Sequence, residues 1–147
     1  MAKILVFTEY SNGKIKSGSL EMLSSAKNSG ADVTALILGS SSESIAEQAG
    51  HFGATETLIC DSGSFDKYNP QQFCEVICSA LNKSQPDIVL ATSSLLARDV
   101  FPKVAAKLGT GAISDCTELT ITGSEVAVRR PMYSGKCTAA VEFENSA

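Results

Sequence analysis

The fold is decided by the stretch NPQQFCEVICSALNKSQPDIVLA, residues 69–91. Its first part predicts a helix, because Asn69 is a good N-cap, Pro70 suits the first helical position and Gln72 completes a capping-box pattern. The helix then carries one apolar stripe with i, i+3, i+4, i+7, i+8 spacing, formed by Phe73, Val76, Ile77, Ala80 and Leu81. Residues 88–91 follow as a short apolar run, which is typical of a strand buried on both faces.

The same alternation of strand and helix extends toward the N-terminus. Apolar runs at residues 4–7, 33–38 and 57–60 predict three more buried strands. Between the first two, Ser19 can cap a helix over residues 20–29, with Gly30 as its left-handed exit. Between the next two, Ser42 or Ser44 can cap a short helix that ends near Gly50 or Gly53.

A fourth helix pattern follows the last apolar run. Its apolar face consists of Val100, Phe101, Val104, Ala105 and Leu108. Pro102 interrupts this pattern, and an interior proline costs about 3 kcal/mol. We therefore expect Pro102 in the first turn of the helix, with residues 95–101 forming a separate turn.

The order βαβαβαβα predicts an α/β fold, a Rossmann-like three-layer αβα sandwich with a mostly parallel sheet. The tail shows no helix pattern between its apolar segments, which alternate or are rich in β-forming residues. We expect short antiparallel strands appended to that sheet at residues 118–122, 125–130 and 138–143. No repeat or linker divides the chain, so residues 1–147 are expected to form a single domain.

Composition excludes several classes of protein. The formal net charge is -4, so no basic excess exists to neutralise the phosphates of a nucleic acid. The uncharged stretches are far shorter than the about 20 residues of a membrane-spanning helix, so no membrane insertion is expected. The apolar run at the N-terminus is too short for a secretory signal.

Cysteine and histidine usage argues against a metal centre. The chain has 5 Cys and 1 His, an odd cysteine count that fits reduced thiols better than a disulfide framework. Cys74 and Cys78 share one edge of a helix, but no further ligands pair with them in the sequence. We interpret both as packing residues and expect no metal and no catalytic residue, since nothing around His51 forms a nucleophile motif.

The carboxyl ends of the strands supply the candidate binding groove. Doubly wound sheets bind ligands there, and the ends concerned are residues 8–10 and 92–94. Thr92, Ser93 and Ser94 can cradle an anion at a helix start, with Arg98 one turn further on. The alternative is ordinary helix capping by Ser93 or Ser94, with Arg98 in a surface ion pair to Asp99 or Glu9.

Known phosphate-binding fingerprints are missing from the sequence. The glycines at 109 and 111 follow a helix, and Ser114 stands where a dinucleotide loop would need its last glycine. The pair Gly135 and Lys136 lacks the earlier glycine of a Walker motif. The residues around Asn12 and Gly13 favour a β-turn rather than a nucleotide loop.

Three segments resemble one known family. Residues 93–115, SSLLARDVFPKVAAKLGTGAISD, resemble the signature of the electron transfer flavoprotein alpha subunit. Residues 130–136, RPMYSGK, resemble its Arg-Pro-Ile-Tyr-Ala-Gly-Asn segment, with substitutions at Met132, Ser134 and Lys136. The N-terminal segment is similar as well, in VFTE (6–9) and NGKIK (12–16).

The resemblance implies the N-terminal domain of such a subunit, with a fold like that of the adenine nucleotide alpha hydrolases. The chain stops before the C-terminal domain that carries most FAD-binding loops in that family, so no flavin ligand is expected in this segment. The intact heterodimer would carry electrons on FAD from acyl-CoA or other dehydrogenases to an acceptor such as a quinone oxidoreductase. It would be cytoplasmic in a bacterium, or in the mitochondrial matrix if the source is eukaryotic.

This domain would then contribute association with the beta subunit rather than catalysis. Its expected interface lies in the tail, at Arg129, Arg130, Met132 and Tyr133, because Arg, Met and Tyr are enriched at interface centres. The alternative at those positions is closure of the domain's own core. A second function remains open, a stand-alone adenine-nucleotide sensor of universal-stress-protein-like fold that uses Thr92, Ser93, Ser94 and Arg98 on phosphate.

Overall fold

The computed structural model describes residues 3–40, 42–60, 63–65, 67–92, 94–109, 118–122, 125–132 and 137–142. The elements in chain order are β1 Lys3–Phe7, β2 Tyr10–Ser11, β3 Lys14–Ile15, α1 Ser17–Asn28, β4 Asp32–Leu38, α2 Ser42–His51, β5 Glu56–Cys60, a 3-10 turn Gly63–Phe65, α3 Pro70–Ser84, β6 Ile88–Leu90, α4 Leu95–Leu108, β7 Glu118–Thr122, β8 Glu125–Met132 and β9 Cys137–Glu142.

Four strands form a parallel sheet in the order β5-β4-β1-β6. The side chains of β1 contribute alternately to two apolar cores, one on each face of the sheet. Ile4 and Val6 pack with Leu23 of α1 and Ile45 of α2. On the opposite face, Leu5 and Phe7 pack with residues of α3 and α4, among them Phe73, Ile77, Val100 and Val104. The predicted α/β sandwich with helices on both faces of a parallel sheet is confirmed.

Strand β1 leads into a short hairpin of β2 and β3. Asn12 (φ 53) and Gly13 (φ 74) form its turn, which is the Asn-Gly pairing that tight hairpins require. The side chain of Gln48 in α2 fixes the hairpin, since Gln48 Nε2 donates to the Gly13 carbonyl at 2.8 Å and Gln48 Oε1 accepts from the Ile15 N–H at 3.2 Å. The predicted turn is confirmed.

The start of α1 differs from the expectation. The helix begins at Ser17 with Lys16 as N-cap, and no side chain caps it. Ser19 is fully buried inside the first turn, and its hydroxyl accepts the N–H of Glu9 instead. The prediction of Ser19 as N-cap was wrong, because a tertiary hydrogen bond uses its hydroxyl. Gly30 follows the helix with φ 82, as predicted.

The two helices on the other face carry clear N-caps. Asn69 caps α3 through its side chain, which accepts the N–H of Gln72 at 3.2 Å, as predicted. Ser94 caps α4 in the same manner, accepting the N–H of Ala97 at 3.1 Å. Helix α4 is continuous through Pro102, so the prediction of a separate turn over residues 95–101 was wrong.

Burial explains why Pro102 does not break α4. Ala97 and Val100 precede the proline and Val104 and Ala105 follow it, and all of them are buried. Because the packed stripe extends across the proline, a break there would expose apolar side chains on one side of it. The free energy of that burial offsets the cost of the missing backbone hydrogen bond.

The tail is a separate antiparallel sheet in the order β7-β8-β9. Among the strands that the structure describes, none of these three pairs with the parallel sheet, so the expectation of strands appended to it was wrong. Strand β8 also extends beyond the predicted end at Arg130, through Pro131 to Met132. Among the described strands, the pairing of β8 with β7 ends at Arg129 and Pro131 pairs with β9 alone, a position that a strand proline tolerates.

Candidate functional site

The candidate site lies where the direction of winding changes. Helix α1 connects β1 to β4 across one face, whereas α3 connects β5 to β6 across the other. Strands β1 and β6 are neighbours, so the crevice between their carboxyl ends is the topological switch point of the sheet. Residues 8 and 9 follow β1, and residues 92 and 94 follow β6. The topology therefore brings together the polar segments that the sequence singled out.

Glu9 occupies the centre of this crevice. Its side chain is buried, and the residue is only 9% exposed. The Thr92 hydroxyl donates to Glu9 Oε2 at 2.7 Å, and the Ser94 hydroxyl donates to Glu9 Oε1 at 2.9 Å. Each carboxylate oxygen thus has a hydroxyl donor from the segment between β6 and α4.

The backbone of Glu9 is fixed as well. Its N–H donates to Ser19 Oγ at 3.0 Å, and its carbonyl accepts the N–H of Lys16 at 2.9 Å. Both contacts come from the start of α1. Gly18 lies against Thr92, since a Cβ at residue 18 would be 2.5 Å from Thr92 Cγ2. The start of α1 therefore holds the backbone of Glu9, while the N-cap of α4 donates to its carboxylate.

The groove residues predicted from the sequence come together only in part. Thr92 and Ser94 converge on Glu9, and Ser94 also performs the capping role that was the alternative. Ser93 lies outside the described residues. Arg98 is exposed one turn into α4, and its N–H donates to the Ser94 carbonyl at 2.9 Å.

This geometry disfavours an anion at the wild-type crevice. The two hydroxyls that would hold a phosphate already donate to a carboxylate, and a second anion beside that carboxylate would be repelled. Sequence reasoning noticed Glu9 only as a polar strand end and a possible partner of Arg98. An acidic residue placed directly after a buried strand at the switch point was the signal that could have identified it.

An aromatic groove of about 270 Å³ lies beside the crevice. Its lining includes Phe7, Tyr10, Phe65, Tyr68 and Phe73 together with Glu9 and Lys16. Tyr10 donates its hydroxyl to the Ser40 carbonyl, and the Tyr68 hydroxyl donates to Asp99. These hydrogen bonds fix the two tyrosines at the rim.

Asp99 connects the groove to the surface of α4. It accepts from Tyr68 and forms an ion pair with Lys103 at 3.4 Å. Burial raises the pKa of the Tyr68 phenol, and the neighbouring carboxylate raises it further. The hydrogen bond from Tyr68 lowers the pKa of Asp99.

The two helical cysteines belong to the apolar cluster on the α3 and α4 face of the sheet. Cys74 is buried in the same cluster as Leu5 and Val100, and Cys78 packs against that cluster half-buried. Burial raises the pKa of the Cys78 thiol, with Cys74 contributing. These positions support the packing interpretation. In the part of the chain that the structure describes, no three His, Cys, Asp or Glu side chains are grouped to hold a metal ion.

Three of the four interface candidates lie in β8, the central strand of the tail sheet. Arg129 pairs in register with Glu118 on β7 and Ala140 on β9, and Met132 pairs with Cys137. Arg130 lies between them, opposite Ala139, and Tyr133 lies outside the described residues. Since β8 is paired on both sides over most of its length, the strand edges available in this sheet belong to β7 and β9.

None of the helices in the described ranges is long and apolar enough to cross a bilayer.

A family model, the electron transfer flavoprotein domain, matches residues 4–146. Protein FixB of Clostridium saccharobutylicum is 33% identical over 144 residues, which cover 94% of this chain and 43% of that protein.

Two further relatives have the same character. The electron transfer flavoprotein subunit alpha of Bacillus subtilis is 29% identical over 91% of this chain and 42% of its own length. The acryloyl-CoA reductase electron transfer subunit beta of Anaerotignum propionicum is 31% identical over 80% of this chain and 33% of its own length. The chain thus spans less than half the length of these relatives, and the resemblance drawn from its three sequence segments is confirmed.

Proposed function

Because the chain belongs to the electron transfer flavoprotein family, we propose that it is the N-terminal scaffold and subunit-association domain of an alpha subunit. The family match over residues 4–146 carries this proposal. Relatives named as alpha subunits are more than twice as long as the portion they share with it. That difference in length supports a domain role, with residues 1–147 as one unit of a larger protein.

In the intact heterodimer, FAD would carry electrons from dehydrogenases to an acceptor such as a quinone oxidoreductase. We propose that this chain itself does not hold the flavin, and one observation supports that. The crevice where a doubly wound sheet holds phosphates contains the Glu9 carboxylate, which accepts from Thr92 and Ser94. We therefore place no step of electron transfer on this domain, and its role is to hold the assembly together without catalysis.

The partner we propose is the beta subunit of the heterodimer. The tail sheet supports this, since the outer edges of β7 and β9 are the kind of strand edge that a partner chain can cover. Arg129, Arg130, Met132 and Tyr133 remain the proposed interface residues, in or directly after the central strand of that sheet. A cytoplasmic location, expected from the sequence, belongs to the same proposal.

Co-purification with the beta subunit tests this function. The chain is expected to bind that subunit while remaining colourless, with FAD affinity no better than about millimolar, or about 4 kcal/mol. A yellow chain with stoichiometric FAD would contradict the scaffold role. Failure to bind the beta subunit, alone and within a longer alpha subunit, would contradict the association role.

The adenine-nucleotide sensor is the less favoured alternative. It requires the hydroxyls of Thr92 and Ser94 for phosphate, and both donate to Glu9 in this structure. Titration of the chain with AMP and ATP separates the two functions. Micromolar binding of either nucleotide would favour the sensor, and no binding is expected for the scaffold domain.

A further inference from the structure

Glu9 is a carboxylate buried in a position that this topology ordinarily gives to a ligand. The residue follows the buried strand β1 at the switch point and is 9% exposed. Taking a carboxylate out of water is costly unless hydrogen bonds or charges compensate it. The groups that compensate Glu9 therefore define an anion-binding environment.

Hydroxyl groups provide the first part of that environment. Thr92 and Ser94 donate to the two carboxylate oxygens at 2.7 and 2.9 Å. Both donors are neutral hydroxyls, and both come from the segment between β6 and α4.

Helix ends provide the second part. Ser94 is the N-cap of α4, so Glu9 is bonded directly to the residue at the positive end of that helix. Ser19 in the first turn of α1 holds the Glu9 backbone, and no side chain caps that helix. Gly18 permits the close approach of α1 to Thr92, where a Cβ would collide at 2.5 Å.

Two hydroxyls and a helix start beside a buried negative group are elements that bind phosphates and carboxylates in doubly wound folds. We propose that the crevice between β1 and β6 is an anion-binding site whose occupant is the chain's own Glu9 side chain. The site takes a small free carboxylate or phosphate when that side chain is removed. In the wild-type protein Glu9 keeps it closed to outside ligands and joins β1 to the start of α4.

Chemical rescue tests the proposal. Glu9→Ala keeps Cβ and removes a fragment equivalent to acetate, so acetate is the matched probe. The full chain carrying Glu9→Ala is unfolded thermally with increasing formate, acetate, inorganic phosphate or AMP, against sodium chloride at equal ionic strength. We expect a lower Tm than wild type, and a saturable recovery of at least about 3 °C at ten times the midpoint acetate concentration.

The other probes separate the possible ligands. Recovery by acetate and formate alone indicates a cavity of carboxylate size, whereas recovery by phosphate and AMP indicates that the crevice accepts a phosphoryl group. Either supports the proposal. Glu21→Ala is the matched control, because Glu21 is an exposed glutamate on α1. Neither this variant nor wild type should respond to acetate more than to chloride.

Two results would overturn the proposal. One is a Glu9→Ala protein whose Tm rises no more with any of the four anions than with chloride. The other applies if Glu9→Ala does not fold in plain buffer. Circular dichroism is then measured in acetate, and a chain that stays unfolded in acetate contradicts the anion site. Recovery of helical signal in acetate, and not in chloride, supports it.

Discussion

The Thr92 hydroxyl donates to Glu9 Oε2 at 2.7 Å, joining residues that are 83 positions apart in the sequence. The bond ties the residues that follow β1 to the segment that follows the neighbouring strand β6. It is buried on the Glu9 side, where an unsatisfied donor or acceptor is costly. The contact should therefore contribute measurably to stability.

A double-mutant cycle measures that contribution. Thr92→Val and Glu9→Ala should each destabilise the chain, and the double variant should lose less than the sum, with a coupling of about 1–2 kcal/mol. Thr34→Val on β4 is the control, since Thr34 lies away from the crevice and should show additive effects with Glu9→Ala. Additive losses for Thr92 and Glu9 would show that their hydrogen bond contributes nothing.

The prolines of α3 and α4 should respond oppositely to alanine. Pro102 lies inside α4, so Pro102→Ala restores a backbone donor and should stabilise the chain by about 1–2 kcal/mol. Pro70 is at the helix start, where its fixed φ is favourable, so Pro70→Ala should destabilise by up to about 1 kcal/mol. Urea unfolding of both variants checks the signs, and equal signs would contradict the explanation given for α4.

Tyr68 should make stability fall at alkaline pH. Burial and the Asp99 carboxylate raise the pKa of the folded phenol, so the unfolded chain loses this proton first, near its ordinary pKa of about 10. The stability that the protonated Tyr68 phenol gives the folded chain is fully present below that pH and is lost as the pH rises above it. Tyr68→Phe should therefore flatten the fall in unfolding free energy between about pH 10 and 11. An unchanged slope would contradict the shift.

The helical cysteines should behave as packing groups. Replacing Cys74 and Cys78 together by Ser should cost about 1–2 kcal/mol. The larger share should come from Cys74, because Cys74 is 6% exposed whereas Cys78 is only half-buried. Chemical unfolding of the single variants gives the two contributions. Near-stoichiometric zinc or iron in protein purified without a histidine tag would contradict the packing role.

The tail sheet should matter for the partner rather than for the core. In a full-length alpha subunit, Arg130→Ala with Tyr133→Ala should weaken association with the beta subunit at least about tenfold, or about 1.4 kcal/mol, with the fold intact. Arg98→Ala is the control, as an exposed arginine on a separate element. If the double variant lowers thermal stability while its affinity for the beta subunit is unchanged, the two residues belong to the core.

The sequence alone determined the elements of the parallel sheet and most of its helices. Continuous apolar runs predicted β1, β4, β5 and β6. The burial on both faces expected of them holds for β1 and most of β4, whereas it was wrong for β5 and β6, where Ile59 and Val89 are 41% and 37% exposed. Local signals also sufficed for the start of α3, where Asn69 and Pro70 act within a single turn. These features depend on contacts between near neighbours in the chain, and such contacts are visible in a sequence.

Only the tertiary structure decided the features that depend on distant residues. Serine is favoured at N-caps, but the Ser19 hydroxyl accepts the backbone N–H of Glu9 instead. Pro102 stays inside α4 because the helix is buried both before and after it. The three tail strands pair with each other in a sheet of their own. The alternation of apolar and polar residues predicts a strand but does not indicate which strand it pairs with. The pairing of Glu9 with Thr92 and Ser94 arises because the order of the sheet sets β1 beside β6, and strand order is a property of the folded chain.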